Sequence, residues 1–193
     1  PQDPYEQLMG SIEAVFNSWQ NKRAATYRKI NNIPDEWGTG ATVQTMVFGN
    51  LNDKSGTGVA FTRNPSNGLK ELYGEYLINA QGEDVVAGIR TPHPIREDKN
   101  IEQESLESKF PKVYRDILEI STKLENHFKE VQDIEFTIEN ENIYLLQTRK
   151  AKRTAQASVK VAIDMQKEGI VTKEEAITMV DANNVTNFCL LYT

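Results

Sequence analysis

The chain has 193 residues, 38% hydrophobic and 26% charged, with a formal net charge of −6. That length can bury a core for one domain or two small lobes, and no apolar run is long enough to span a membrane as a helix. The acidic balance argues against a nucleic-acid coat or a polybasic membrane surface, but not against a nucleotide arriving with Mg2+, whose metal needs carboxylates.

Pro1-Gln2-Asp3-Pro4 has no basic region leading into an apolar stretch, so no secretory leader is expected. The missing initiator Met suggests a piece of a longer protein. Asp3 can cap a helix that Pro4 opens, with Glu6 placed for a capping box. Leu8, Ile12, Val15, Phe16 and Trp19 follow at helical spacing and are expected to be core contacts. A second helix is predicted over Arg23–Lys29. Ala41–Phe48 alternates as a strand would, with Val43, Thr45 and Val47 on one face and Gln44, Met46 and Phe48 on the other. Residues 49–58 form a polar, glycine-containing turn, and short strands are predicted at Val59–Thr62 and Glu71–Ile78. Val85–Gly88 continues what reads as a mostly antiparallel meander, and Thr91-Pro92-His93-Pro94 breaks it.

Arg96–Lys109 is rich in charge and reads as a solvated loop or short helix without chemistry. A helix over 111–130 uses Val113, Ile117, Leu118, Ile120, Leu124 and Phe128. Strands are predicted at Asp133–Asn142 and Ile143–Arg149. A helix follows over Thr154–Glu168, closed by Gly169. The capping box Thr172-Lys173-Glu174-Glu175 then starts a last helix to about Val180. Cys189, the only cysteine, lies in the apolar tail Phe188-Cys189-Leu190-Leu191. It cannot close an internal disulfide, and a reducing cytoplasm fits best. The element order points to an α+β fold.

The strongest chemical signal is Asp133-Ile134-Glu135-Phe136-Thr137-Ile138, a turn, then Ile143-Tyr144-Leu145-Leu146-Gln147-Thr148-Arg149. Strand alternation puts Asp133 and Glu135 on one face. With a three-residue loop at Asn140, Glu141 and Asn142, Glu135 lies opposite Gln147 and Asp133 opposite Arg149. Phe136 then meets Leu146, and Ile138 meets Tyr144, on the reverse side. A two-residue loop mixes the faces and is disfavoured. The outcome is a polar face of two carboxylates, an amide and a guanidinium. It suits Mg2+ and a polyphosphate, or else it is a solvated face with cross-strand ion pairs.

Two weaker signals stand beside it. Ser55-Gly56-Thr57-Gly58 could turn backbone N–H groups and the Thr57 hydroxyl toward an anion, or be a plain turn. It lacks the ending of a P-loop. Gln81-Gly82-Glu83-Asp84 could face a ribose or a metal, or be ordinary turn residues. His93 and His127 are not expected to be catalytic, and no Ser/His/Asp set assembles. No Cys/His cluster suits zinc.

The segments Gly56–Pro65, Leu72–Pro92, Asp133–Ile138, Leu146–Arg149 and Lys152–Ala157 together resemble the pyruvate, phosphate dikinase family, with likeness running from Asp3 to about Asp181. The charged stretch 96–109 is longer than the family leads one to expect, and the last dozen residues match no familiar pattern. The resemblance implies an ATP-grasp-like second lobe over residues 1–150, helical over 1–36 and mainly β with one helix over 37–150. A helical linker over 151–193 would lead toward a phosphohistidine domain that is missing here. It implies Mg2+ and ATP as ligands. Asp133, Glu135 and Gln147 would hold metal and polyphosphate, Arg149 would contact phosphate with Glu135 as its catalytic companion, Glu83 and Gln44 would face the adenosine, and Thr57 would lie near the γ-phosphate. The family's enzymes convert ATP, phosphate and pyruvate into AMP, pyrophosphate and phosphoenolpyruvate through a phosphohistidine, usually as homodimers. Neither the phosphohistidine segment, the pyruvate barrel nor the amino-terminal lobe is present, so the chain alone is expected to be inactive. Phosphoenolpyruvate synthase, glucan water dikinase and a non-catalytic nucleotide-binding module are the alternatives.

Overall fold

Asp3 and Pro4 start the first helix as expected. Asp3 Oδ1 accepts from the Tyr5 backbone N–H at 2.8 Å, and α1 runs Pro4–Ser18 in the computed structural model. The structure describes residues 1–88, 90–97 and 103–181, and the expectations for Cys189 and the last dozen residues lie outside them. The chain divides into two units, Pro1–Met46 and Val47–Thr193.

In the first unit α1 is followed by α2 (Lys22–Ile30) and a 3-10 turn at Asp35–Trp37. The clasp is polar. Arg28, 5% exposed, donates from Nε to Asp35 Oδ1 and from Nη1 to the Trp19 carbonyl, both at 2.6 Å. Its guanidinium lies 4.1 Å from the centre of the Trp19 ring. Leu8, Val15 and Phe16 are exposed rather than core contacts, because two short helices give an apolar stripe too little to pack against. Residues 41–48 form no strand. Alternation assigns side chains to faces but supplies no hydrogen-bonding neighbour, and a strand without one is not stable in water.

The second unit is built on an antiparallel sheet in the order β3-β2-β1-β4-β5. Its strands are β1 (Gly56–Phe61), β2 (Tyr73–Ile78), β3 (His93–Pro94), β4 (Gln132–Glu139) and β5 (Asn142–Lys150). Residues 56–58 thus belong to the central strand and not to a turn. Gly58 shows why glycine stands there. A Cβ would meet Phe136 Cζ and the Glu75 carbonyl oxygen, each at 2.6 Å. His93–Pro94 also differs from expectation. It pairs with β2 instead of ending the sheet, which Pro94 permits because β3 is an edge. Gln81 and Asp84 form a capping box, so Gly82–Ala87 becomes helix α3 and not a strand, closed by Gly88 at φ 63°.

Ser105 caps α4 (Leu106–Lys109), and Leu106 is fully buried, so this charged stretch is anchored to the core. Helix α5 (Pro111–Phe128) lays Val113 and Ile117 on the sheet face made by Ala60, Tyr76, Phe136 and Ile138. A second cluster joins Val131, Ala151, Val161, Met165 and Val171, which brings in α6 (Ala155–Lys167). Thr154 caps α6, and the predicted Thr172–Glu175 box opens α7 (Lys173–Thr178). Fully buried Arg63, just past β1, bridges the two clusters. It pairs with Glu125 of α5 at 2.9 Å and with Glu168 after α6 at 2.8 Å. The α+β class is observed, and among the described residues no helix is long and apolar enough to cross a membrane.

Candidate functional site

The hairpin of β4 and β5 presents the polar pairs that alternation predicts. Glu135 lies opposite Gln147 and Asp133 opposite Arg149. The route differs from expectation. Asn140 and Glu141 alone form the loop, both in left-handed conformation at φ 49° and 62°, and Glu139 faces Asn142. Positive φ at both central positions matches the twist of the strands. That loop pairs Phe136 with Leu145 and Ile138 with Ile143, not with Leu146 and Tyr144. The ladder then slips between Glu135 and Phe136, leaving Leu146 as an extra residue on β5. This bulge restores the polar pairing that a two-residue loop alone would have lost.

Pairing carries the same face across the sheet. Tyr73, Phe61, Asp133 and Arg149 form one row, Glu75, Val59, Glu135 and Gln147 the next, and Leu77, Thr57, Thr137 and Tyr144 a third. Arg149 Nε donates to Asp133 Oδ2 at 2.8 Å, and its Nη2 stands 3.9 Å from Glu135 Oε1. The Asp133 hydrogen bond and charge hold this guanidinium above the ordinary arginine range. Side-chain exposure is graded across the group, at 11% for Asp133, 38% for Glu135 and 60% for Arg149. The guanidinium is therefore fixed on one side by a nearly buried carboxylate and keeps its remaining N–H groups toward solvent.

The other predicted residues are placed differently. Thr57 is 3% exposed, and its hydroxyl donates to the Phe136 carbonyl at 3.1 Å, so it stands in the sheet and not on a loop. Glu83 is exposed in the first turn of α3. Gln44 belongs to the first unit, exposed in a segment without regular structure. His93 Nδ1 is 3.2 Å from the Glu104 carbonyl, and its ring lies tilted against Tyr76 with centroids 5.4 Å apart. Sequence reasoning missed Glu75, a third carboxylate on the same face. It stands two strands from Glu135, about 10 Å away at ordinary strand spacing. Its strand had been identified, but its face follows only from the pairing of β2 with β1.

Among the described residues no three His, Cys, Asp or Glu are grouped closely enough to hold an ion by themselves. The donor set of Glu135, Asp133 and the Gln147 amide nevertheless fits Mg2+, which usually takes one or two carboxylates and completes its shell with water and phosphate oxygens.

Residues 2–119 and 111–170 match the model of the family described as pyruvate phosphate dikinase, AMP/ATP-binding domain. The chain is 55% identical over 185 residues to a pyruvate, phosphate dikinase of Clostridium symbiosum, covering 96% of this chain and 20% of that protein. Against the pyruvate, phosphate dikinase of Rhizobium meliloti it is 56% identical, covering 94% and 21%. Against the chloroplastic pyruvate, phosphate dikinase 1 of Zea mays it is 50% identical, covering 96% and 19%. The chain thus spans about a fifth of the length of these relatives. With the family's model matched over most of its length, the chain belongs to the pyruvate phosphate dikinase AMP/ATP-binding domain family.

Proposed function

We propose that the chain is the polyphosphate-holding lobe, ATP-grasp-like, of a cytoplasmic pyruvate, phosphate dikinase, and that the β4–β5 hairpin face grips the phosphates of Mg·ATP. The observation that carries this reading is the set Asp133, Glu135, Gln147 and Arg149 on one sheet face, with the exposed Arg149 clamped by the nearly buried Asp133 at 2.8 Å. Glu135 and the Gln147 carbonyl would hold Mg2+, assisted by the less exposed Asp133. The ion, when bound, offsets phosphate charge. Arg149 has one edge on Asp133 and offers the other to phosphate oxygens, in a planar fork that suits them. Fixing the fork beforehand lowers the cost of ordering it when phosphate arrives.

Glu83 would serve the adenosine end, and Thr57 would support the face from within the sheet. Catalysis of the full reaction, from ATP, phosphate and pyruvate to AMP, pyrophosphate and phosphoenolpyruvate, would require the rest of the enzyme. This includes an opposing lobe and a phosphohistidine domain, in what would be a homodimer. The chain alone would therefore bind nucleotide without turning it over.

Calorimetric titration of the 193-residue chain with ATP, with and without Mg2+, tests the reading. Mg2+-dependent binding with a Kd of about 1 mM or below is expected. The Glu135→Gln variant should remove the Mg2+ dependence, and Arg149→Met should weaken binding at least about tenfold, the worth of a charge-assisted hydrogen bond. Equal affinity in the variants, or no binding by the parent chain, would sink it.

A further inference from the structure

On the sheet face opposite the hairpin site lies a cavity of about 400 Å3, between α5 and the chain around residues 70–72, 96 and 107. Ser121 of α5 lines it. This residue is 6% exposed, and its hydroxyl makes no hydrogen bond among the described residues. A buried hydroxyl left unpaired is costly, and serine in a helix has a ready alternative in the carbonyl one turn back. Ser121 does not take it, whereas the neighbouring Thr122 does, donating to the Leu118 carbonyl at 3.0 Å. The Ser121 hydroxyl is therefore a donor and acceptor still to be used.

The rest of the wall narrows the ligand. Tyr114 brings a phenol that partial burial, and secondarily Glu107, keep protonated. The rim carries both signs, Lys70 and Arg96 against Glu71 and Glu107. Among the described residues Arg96 uses only Nη1, on Glu71 at 2.6 Å, and Lys70 gives one contact to Glu168 at 2.7 Å, which leaves both cations N–H groups to offer. Leu72 and Leu118 supply an apolar side. A plain anion would face two rim carboxylates as well as the buried Glu125, whose charge Arg63 offsets, and a plain cation would face two rim cations. A small molecule bearing both charges a few ångströms apart meets each with its opposite.

We propose that this cavity binds a small zwitterion of the free α-amino-acid class. Its carboxylate would lie on Arg96, Lys70 and the Ser121 hydroxyl, its ammonium on Glu107 and Glu71, and its side chain against the two leucines. The site does not involve the hairpin face, so it would be an effector site and not part of nucleotide binding.

The test is a titration of the isotopically labelled 193-residue chain, followed by amide resonances, with L-alanine and L-serine as probes. Propionate, ethylamine and glycerol are the single-feature controls. Saturable shifts at Leu72, Leu118 and Thr122 are expected for the amino acids. Ser121→Ala and the exposed-rim variant Arg96→Gln should each weaken binding by about fivefold, one hydrogen bond's net worth, and Glu135→Gln should leave it unchanged. The inference fails if the amino acids produce no shift. It also fails if propionate binds as tightly, which makes this an anion site, or if glycerol does, which leaves an adventitious additive only.

Discussion

Arg63 has no exposed surface, and its guanidinium is divided between two carboxylates, Glu125 in α5 and Glu168 just after α6. Glu125 in turn accepts from the Thr62 hydroxyl at 2.7 Å, and that hydroxyl accepts from the Gln132 N–H at the head of β4. Removing the cation strands a carboxylate inside, which costs about 3–5 kcal/mol when a buried pair is broken. Urea unfolding of Arg63→Met should show a loss of that size, with the Arg63→Lys loss only partly smaller, because a point charge cannot serve both acids in fork geometry. A loss below about 1 kcal/mol, the range of an exposed pair, would contradict the assignment. Nothing local in the sequence marks this residue. Its partners lie 62 and 105 positions away, and only tertiary packing brings three elements onto one side chain.

Each end of the β4–β5 hairpin depends on a different rule. The faces were legible, since Asp133 and Glu135 must share a side whatever the loop, and the Glu135–Gln147 register follows from keeping apolar residues inside. The loop length was not, because a bulge and a longer loop satisfy that same pattern. Glu141 at φ 62° pays for the tight turn as a non-glycine residue in left-handed backbone. Glu141→Gly should therefore stabilise the chain by about 0.5–1 kcal/mol, read from the urea midpoint, with the turn kept. A destabilised variant would mean that the exposed Lys54–Glu141 pair at 3.5 Å matters more than the strain. The other misread elements have comparable causes. At 81–87 the capping box outweighs the β-branched pair Val85-Val86, and at 41–48 alternation had no neighbouring strand behind it.

For the molecule as a whole, ionisation bounds stability on both sides. Partial burial pulls the Glu168 carboxyl upward, but Arg63 and Lys70 outweigh it and hold it below the ordinary glutamate range. The hydrogen bond from Lys129, with that from the Thr172 backbone, does the same for Glu175. For groups so depressed the unfolded chain binds protons first. Their stabilisation is present above about pH 4.3 and is lost as pH falls through the folded values. Burial raises the Tyr76 phenol. The folded state then keeps a proton that the unfolded chain releases above about pH 10, and stability declines from there upward. Unfolding measured across pH should show both limbs, and Tyr76→Phe should flatten the alkaline one. An unaltered slope would move that limb to another residue. At one margin of the sheet, β5 has only β4 beside it among the described residues, and Tyr144, Leu145 and Leu146 are 42%, 42% and 54% exposed. An outermost ribbon with greasy side chains invites another copy to zip onto it. Concentrated solutions should turn cloudy through this seam, and Leu146→Lys should raise the protein concentration at which light scattering begins while leaving the melting temperature nearly unchanged.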